Sequence, residues 1–257
     1  MRYRLLTLAI FLFGGLQADP RPWWEVNYNL DIEYPRMGDY RWDKASEDII
    51  LRGRGVNRRS FYKVDLASGD TTVYLDSSVF NYDGNYIPVR RWNLSKDGSF
   101  MLIQSKRERI WRHSNTGTYY LLNIDQREIT KVSEKNEMLR NVKISPNNKW
   151  ISYVRQDNNL YVYNIKRKRE KKLTRNGSET LLNGHFGWVY EEELSGYDGY
   201  RWSPDSRYIA YIEEDQSEVG RFRMIDELKL YPDVQEVFYP KAGHTNPRIK
   251  MAVINVQ

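Results

Sequence analysis

The chain has 257 residues, of which 40 are Lys or Arg and 34 are Asp or Glu, giving a net charge of +6. Aromatic residues make up 14% of the sequence and charged residues 29%, a composition that excludes an intrinsically disordered chain. The length allows one large domain or two small ones, with a core of useful size.

The first eighteen residues are predicted to be a signal peptide. Arg2 and Arg4 form a positive n-region, residues 5–16 are an apolar h-region, and Ala18 is suited to the cleavage site. The apolar stretch is shorter than the ~20 residues that a membrane span needs. Because the residue three positions before the cut is a large Leu, an uncleaved membrane anchor is the alternative.

The predicted mature chain, residues 19–257, contains no cysteine. An exported domain without disulfides depends on its core, which is more typical of a bacterial envelope than of a disulfide-rich ectodomain. We therefore expect an exported protein, periplasmic or secreted, with no membrane span after signal cleavage.

Past the leader, one pattern recurs four times. Each copy is an apolar residue, a turn of the Ser-Pro-Asp-Gly kind and an alternating strand, and the copies begin at Trp42, Leu94, Ile144 and Trp202. Further hairpins follow the first three copies. A repeat of about 50 residues built from strands is typical of propeller blades. We predict an all-β fold, a partial β-propeller of about three to four four-stranded blades.

A basic run at residues 166–172 lies between two predicted strands. Such a run can indicate nucleic acid binding. Its position instead favours the tip and outer edge of a hairpin, where basic side chains also discourage aggregation. We therefore predict no nucleic acid partner.

Residues 176–199 interrupt the repeat and carry the run Glu191, Glu192 and Glu193. Three successive carboxylates are unfavourable in a strand, so we predict a short helical or loop insertion. Successive residues of a helical turn point about 100° apart, so two of the Glu side chains can converge on one ammonium group. The alternative is a solvated acidic turn without a ligand.

Four motifs in this order resemble the N-terminal propeller of the dipeptidyl peptidase IV family. The resemblance covers roughly residues 30 to 257. The motifs are Trp111-Arg112-His113-Ser114, Gly187-Trp188-Val189-Tyr190-Glu191-Glu192-Glu193, Trp202-Ser203-Pro204, and Tyr239-Pro240-Lys241-Ala242-Gly243 with Asn246-Pro247.

The resemblance implies a serine-type enzyme that releases dipeptides from free N-termini and prefers Pro or Ala in second position. It implies that Glu192 and Glu193 hold the α-ammonium of the substrate and that Arg112 holds a substrate carbonyl. An α-ammonium, with a pKa of about 7.7–8.0, can offset the repulsion of two carboxylates near neutral pH. The alternative for Arg112 is a structural salt bridge, with Glu191 as its candidate partner.

The sequence contains no G-x-S-x-G motif and only three scattered His residues, so we predict no nucleophile, no metal site and no cofactor. The resemblance implies further blades and an α/β-hydrolase domain, with a homodimer as one form of the full-length protein. We therefore interpret the chain as a truncated N-terminal part that is inactive alone. A non-catalytic peptide- or protein-binding propeller is the alternative, and an envelope scaffold propeller is disfavoured by the Glu191–Glu193 run and the Trp111-Arg112-His113-Ser114 motif.

Overall fold

The computed structural model describes residues 39–257, apart from residues 44–45, 47, 54–57, 134, 136–137 and 229. The predicted signal peptide lies outside the described residues. The described strands, in chain order, are β1 (Tyr40–Trp42), β2 (Ile49–Arg52), β3 (Phe61–Val64), β4 (Thr71–Leu75), β5 (Asn81–Tyr82), β6 (Asn85–Tyr86), β7 (Arg91–Leu94), β8 (Phe100–Arg109), β9 (Asn115–Asn123), β10 (Glu128–Lys131), β11 (Leu139–Ile144), β12 (Trp150–Val154), β13 (Leu160–Asn164), β14 (Arg169–Lys172), β15 (Leu181–Asn183), β16 (Tyr200–Trp202), β17 (Tyr208–Asp215), β18 (Arg221–Asp226), β19 (Asp233–Phe238) and β20 (Arg248–Asn255).

The first sheet is a four-stranded antiparallel meander in the order β1-β2-β3-β4. Its side chains alternate along the strands, so that Ile50, Phe61 and Leu75 are fully buried. Its β3–β4 turn is closed by Asp65, whose Oδ1 accepts the N–H groups of Ala67 and Ser68. These features are those of one propeller blade.

The second and third blades, β7–β10 and β11–β14, form one eight-stranded sheet in which β9 pairs with β11. The contact is short, because only Leu139 and Arg140 pair with Gly117 and Thr116. Within each blade the strands pair with their neighbours in chain order. The basic run falls on the β13–β14 hairpin, as the sequence predicted.

The repeated turn has one hydrogen-bonding design in three of its copies. A serine hydroxyl at the start of the turn accepts the N–H of the residue five positions on, which is the first residue of the following strand. An Asp or Asn two positions after that serine accepts a second turn N–H. The serines are Ser95, Ser145 and Ser203, and the Asp and Asn residues are Asp97, Asn147 and Asp205.

A further sheet, called the fourth sheet because it follows the three blades, contains β15, β16, β17 and β20, with β17 in its middle. Two segments that connect strands of this sheet lie outside it. A seven-residue helix, α1 (Trp188–Leu194), lies between β15 and β16 in sequence and carries the Glu run. The strands β18 and β19 form a two-stranded ribbon between β17 and β20. The insertion, predicted to be a short helix or a loop, is therefore a short helix.

Three apolar cores lie between successive blades. The first joins residues of the first and second blades, with Phe61 5.4 Å from Phe80 and 4.9 Å from Trp92 between ring centroids. The second joins the second and third blades, and the third joins the third blade to the fourth sheet. Blades that pack face to face around an axis have this arrangement, so the partial propeller is confirmed.

Replacing Phe61 with Ala is expected to lower the free energy of unfolding by about 3–5 kcal/mol, because it leaves a cavity beside Phe80 and Trp92. Urea denaturation followed by Trp fluorescence measures the change. The control is Val73→Ala on the neighbouring strand, where the side chain is 59% exposed and the expected change is within about 0.5 kcal/mol. Equal effects of the two substitutions would contradict this account of the core.

Candidate functional site

The helix α1 is short and is defined by its two ends. Gly187 precedes it in an extended conformation, and Ser195 follows it in the left-handed region with φ of 55°. The N–H of Gly196 donates to the carbonyl of Tyr190 at 2.9 Å, which closes the last turn. The three Glu residues are successive on this helix, so their side chains leave it about 100° apart.

Glu191 points inward and joins two distant segments of the chain. Its carboxylate is 1% exposed, and Oε1 accepts the backbone N–H groups of His113 and Ser114, both at 2.7 Å. These residues precede it by 78 and 77 positions and belong to the loop between β8 and β9. The first Glu of the run thus holds the Trp111–Ser114 motif against α1.

Arg112 and Glu192, two of the three predicted binding residues, form an ion pair. The Arg112 side chain is 63% exposed and that of Glu192 is 21% exposed, so the pair lies at the surface. Arg109 orders the loop below them by donating to the carbonyls of Trp111 and Arg112 at 2.8 and 3.3 Å. A salt bridge of Arg112 was the alternative prediction, and the structure contains one, but its partner is Glu192 and not the suggested Glu191, whose Oε1 accepts backbone N–H groups.

Glu193, the third predicted binding residue, is exposed on the same helix. It has no ion-pair partner within the part of the chain that the structure describes. One carboxylate is therefore held by Arg112 while the next is available to a cation from solvent.

Aromatic side chains surround the charged residues and pack against one another. His113 stacks on Tyr197 with ring centroids 6.0 Å apart. Trp188 lies 5.2 Å from Tyr239, which follows the ribbon. A cavity of about 210 Å³ has Tyr197, Asp198 and Asn115 among its lining residues and so adjoins both segments of the site.

A buried network that was not predicted from the sequence lies below the site. Arg140 donates to Nδ1 of His185 at 2.6 Å, and Nε2 of His185 lies 2.9 Å from Oδ1 of Asn158. Nδ1 must accept, so His185 is neutral with its proton on Nε2. Burial, followed by the charge of Arg140, holds the pKa of His185 well below its usual range.

Arg140 is the cation that balances the buried Glu191. Burial lowers the pKa of Arg140 to about 10, while the charge of Glu191 acts in the opposite direction. No local motif marks Arg140 or His185, since an Arg in a strand and an isolated His are common. Their role comes from the short β9–β11 contact, which brings Arg140 to the site.

The geometry suits a ligand that carries a small cationic group next to a hydrogen-bond acceptor. Glu193 would contact the cation, and Arg112 would donate to the acceptor. Within the described ranges, no cluster of three or more His, Asp or Glu residues could hold a metal ion. The same ranges contain no helix with the length and apolar character of a membrane span.

Replacing Glu191 with Ala is expected to lower the free energy of unfolding by about 2–4 kcal/mol, because two backbone donors lose their acceptor in a buried position. It should also expose the amides of His113 and Ser114 to hydrogen exchange. Denaturation and amide exchange by NMR measure these effects. Glu193→Ala is the matched control and should leave both unchanged, and a Glu191→Ala variant with unchanged amide protection would contradict the assignment.

Comparisons with known proteins identify the family of this chain. A family model described as the N-terminal region of dipeptidyl peptidase IV (DPP IV) matches residues 95–257. Dipeptidyl aminopeptidase B of Saccharomyces cerevisiae is 34% identical over 233 residues, which cover 87% of this chain and 28% of the yeast protein. Dipeptidyl peptidase 4 of Bos taurus is 30% identical over 201 residues, covering 73% of this chain and 25% of the bovine protein.

Among solved structures, Porphyromonas gingivalis dipeptidyl peptidase 4 is similar, with a TM-score of 0.77 and 25% identity. The alignment covers 93% of this chain and 34% of that protein. The chain thus spans about a quarter to a third of the length of these relatives. The family model covers more than half of the chain, and the chain therefore belongs to the dipeptidyl peptidase IV family, whose N-terminal region it represents.

Proposed function

We propose that this chain is the substrate-recognition part of an exported serine-type dipeptidyl peptidase that releases N-terminal dipeptides with Pro or Ala in second position. The observation that carries the proposal is the joining of the Arg112 loop to the Glu run through Glu191. The names of the relatives, which are dipeptidyl peptidases and aminopeptidases, support the reaction class.

In this proposal the α-ammonium of a peptide binds between Glu192 and Glu193. Glu193 is exposed and Glu192 is partly exposed, so both can contact a ligand. The ammonium group would share Glu192 with Arg112, whose planar donors then turn toward a substrate carbonyl. A blocked amine lacks the positive charge, so the site selects free N-termini.

The cleavage step is assigned to the hydrolase domain that the family resemblance implies. None of the three recognition residues is a nucleophile, and the sequence has no G-x-S-x-G motif. The contribution of this chain is to place the second peptide bond of the substrate by binding the N-terminus.

For the partner of the protein, we propose a second copy that binds at the ribbon tip, defined as Ile225, Leu228, Leu230, Tyr231 and Val234. Each of these side chains is at least 57% exposed. An exposed apolar group of this size is typical of an interaction surface. A homodimer would bury two such tips against each other or against the neighbouring sheet.

The recognition role is tested by titrating the chain with a short peptide that has a free N-terminus and Pro in second position. Glu192→Ala and Glu193→Ala are each expected to weaken binding by about 10- to 100-fold, because each removes charge-assisted hydrogen bonds. Isothermal titration calorimetry measures the dissociation constants.

The control for this titration is Glu128→Ala, an exposed carboxylate on β10. It should change the dissociation constant less than twofold. If Glu192→Ala and Glu193→Ala bind the peptide as tightly as the parent chain, the proposed recognition role fails.

The dimer is tested with Ile225→Glu, which places a charge opposite Val234 on the ribbon. The variant should sediment as a monomer at concentrations where the parent chain is a dimer. Gln235→Glu, an exposed polar position on the same ribbon, is the control and should remain dimeric. A parent chain that is monomeric at all concentrations would contradict the proposal.

A further inference from the structure

A second buried carboxylate lies under the start of the recognition helix. Glu214, on β17, is 0% exposed, and its Oε2 accepts the N–H of Gly187 at 2.9 Å. The other oxygen, Oε1, is buried without a hydrogen-bond partner. The residue that precedes α1 is therefore held by a carboxyl group that has one free oxygen.

Glycine at residue 187 lets the backbone lie close to this carboxyl group. A β-carbon at Gly187 would lie 2.8 Å from Oε1 of Glu214 and 2.5 Å from Oε1 of Gln216. Any side chain would displace both groups. The start of α1 thus lies directly against the side chains of Glu214 on β17 and of Gln216 just after that strand.

No cation balances Glu214 within the described residues. Its partners across the sheet are Leu182 on β15 and Ile249 on β20, and both are apolar. The titratable group that faces it from α1 is Tyr190, whose pKa is raised by burial and then by the charge of Glu214. A buried carboxylate without a cation is costly, so the neutral acid suits this position better.

We propose that Glu214 is a positioning residue that seats the recognition helix α1 through Gly187 most firmly when it carries a proton. The proton removes the charge from the buried carboxyl group, whose Oε1 has no partner, while Oε2 keeps the N–H of Gly187. When Glu214 ionises, the lone charge is stabilised by water, which can reach it only if the start of α1 moves away.

The direction of the pH dependence follows from the burial of the group. Burial raises the pKa of Glu214 from 4.5 to about 7, against the effect of the Gly187 hydrogen bond. Because the pKa is raised when the helix is seated, protonated Glu214 stabilises the seated helix fully below pH ~4.5. This stabilisation is lost as the pH rises through about 7. The positioning is therefore weakest in mildly alkaline solution.

Hydrogen–deuterium exchange of residues 186–194 tests this in the parent chain, Glu214→Gln and the control Glu213→Gln. Gln keeps an acceptor for Gly187 but cannot ionise. Glu213 lies one position earlier on the strand, where Asn176 donates to it and Lys250 is 3.6 Å away. Comparing variants at one pH cancels the intrinsic pH dependence of exchange.

Protection of residues 186–194 in the parent chain, relative to Glu214→Gln, is expected to fall more than about tenfold between pH 5 and pH 8. Glu213→Gln should follow the parent chain. A ratio that stays constant within about twofold would overturn the proposal. If Glu214→Gln does not fold, protection at residues 186–194 of the parent chain is compared with protection at β12–β13 of the same chain. A fall of this ratio between pH 5 and pH 8 supports the proposal, and a constant ratio overturns it.

The consequence for binding rests on the proposed function. The affinity of the parent chain for a free-amine peptide, divided by that of Glu214→Gln, should also fall between pH 5 and pH 8, and this ratio cancels the titration of the peptide. If neither protein binds the peptide, the proposed function fails, while hydrogen exchange still decides the role of Glu214.

Discussion

The carboxylate of Glu191 accepts two backbone N–H groups from a loop that precedes it by almost eighty residues. Because the carboxylate is buried, this contact cannot be exchanged for water without opening the structure. It determines where the Arg112 loop lies relative to α1, and hence that Arg112 meets Glu192. The candidate site depends on this junction more than on the local conformation of either segment.

The blades position the two segments that meet at this junction, neither of which belongs to the regular repeat. The long hairpin β8–β9 carries the Arg112 loop, and the fourth sheet carries α1. A short pairing of β9 with β11 brings Arg140 next to Glu191, and the neutral His185 supports Arg140. The charge of the site is thus balanced by residues from the neighbouring blade.

Much of the fold could be predicted from the sequence, because the repeated Ser, Asp and Asn turn bonds are local and leave a readable pattern. The helical insertion was also predictable, since three successive Glu residues are unfavourable in a strand.

The inward direction of Glu191, the role of Arg140 and the burial of Glu214 were not predictable. These depend on contacts between segments far apart in the chain, which leave no pattern in the sequence. For the same reason the sequence suggested Glu191 as the partner of Arg112, whereas the structure pairs Arg112 with Glu192. The signal peptide stays a prediction, because residues 1–18 lie outside the described part.

The central claim is that this junction recognises a free N-terminal amine. The most direct measurement is a calorimetric titration of the chain at pH 7 with two peptides of identical sequence, one with a free N-terminus and one acetylated. Acetylation removes the charge that Glu192 and Glu193 would bind and leaves the rest of the peptide unchanged. We predict that the free peptide binds at least about tenfold more tightly. Equal affinities would contradict the account.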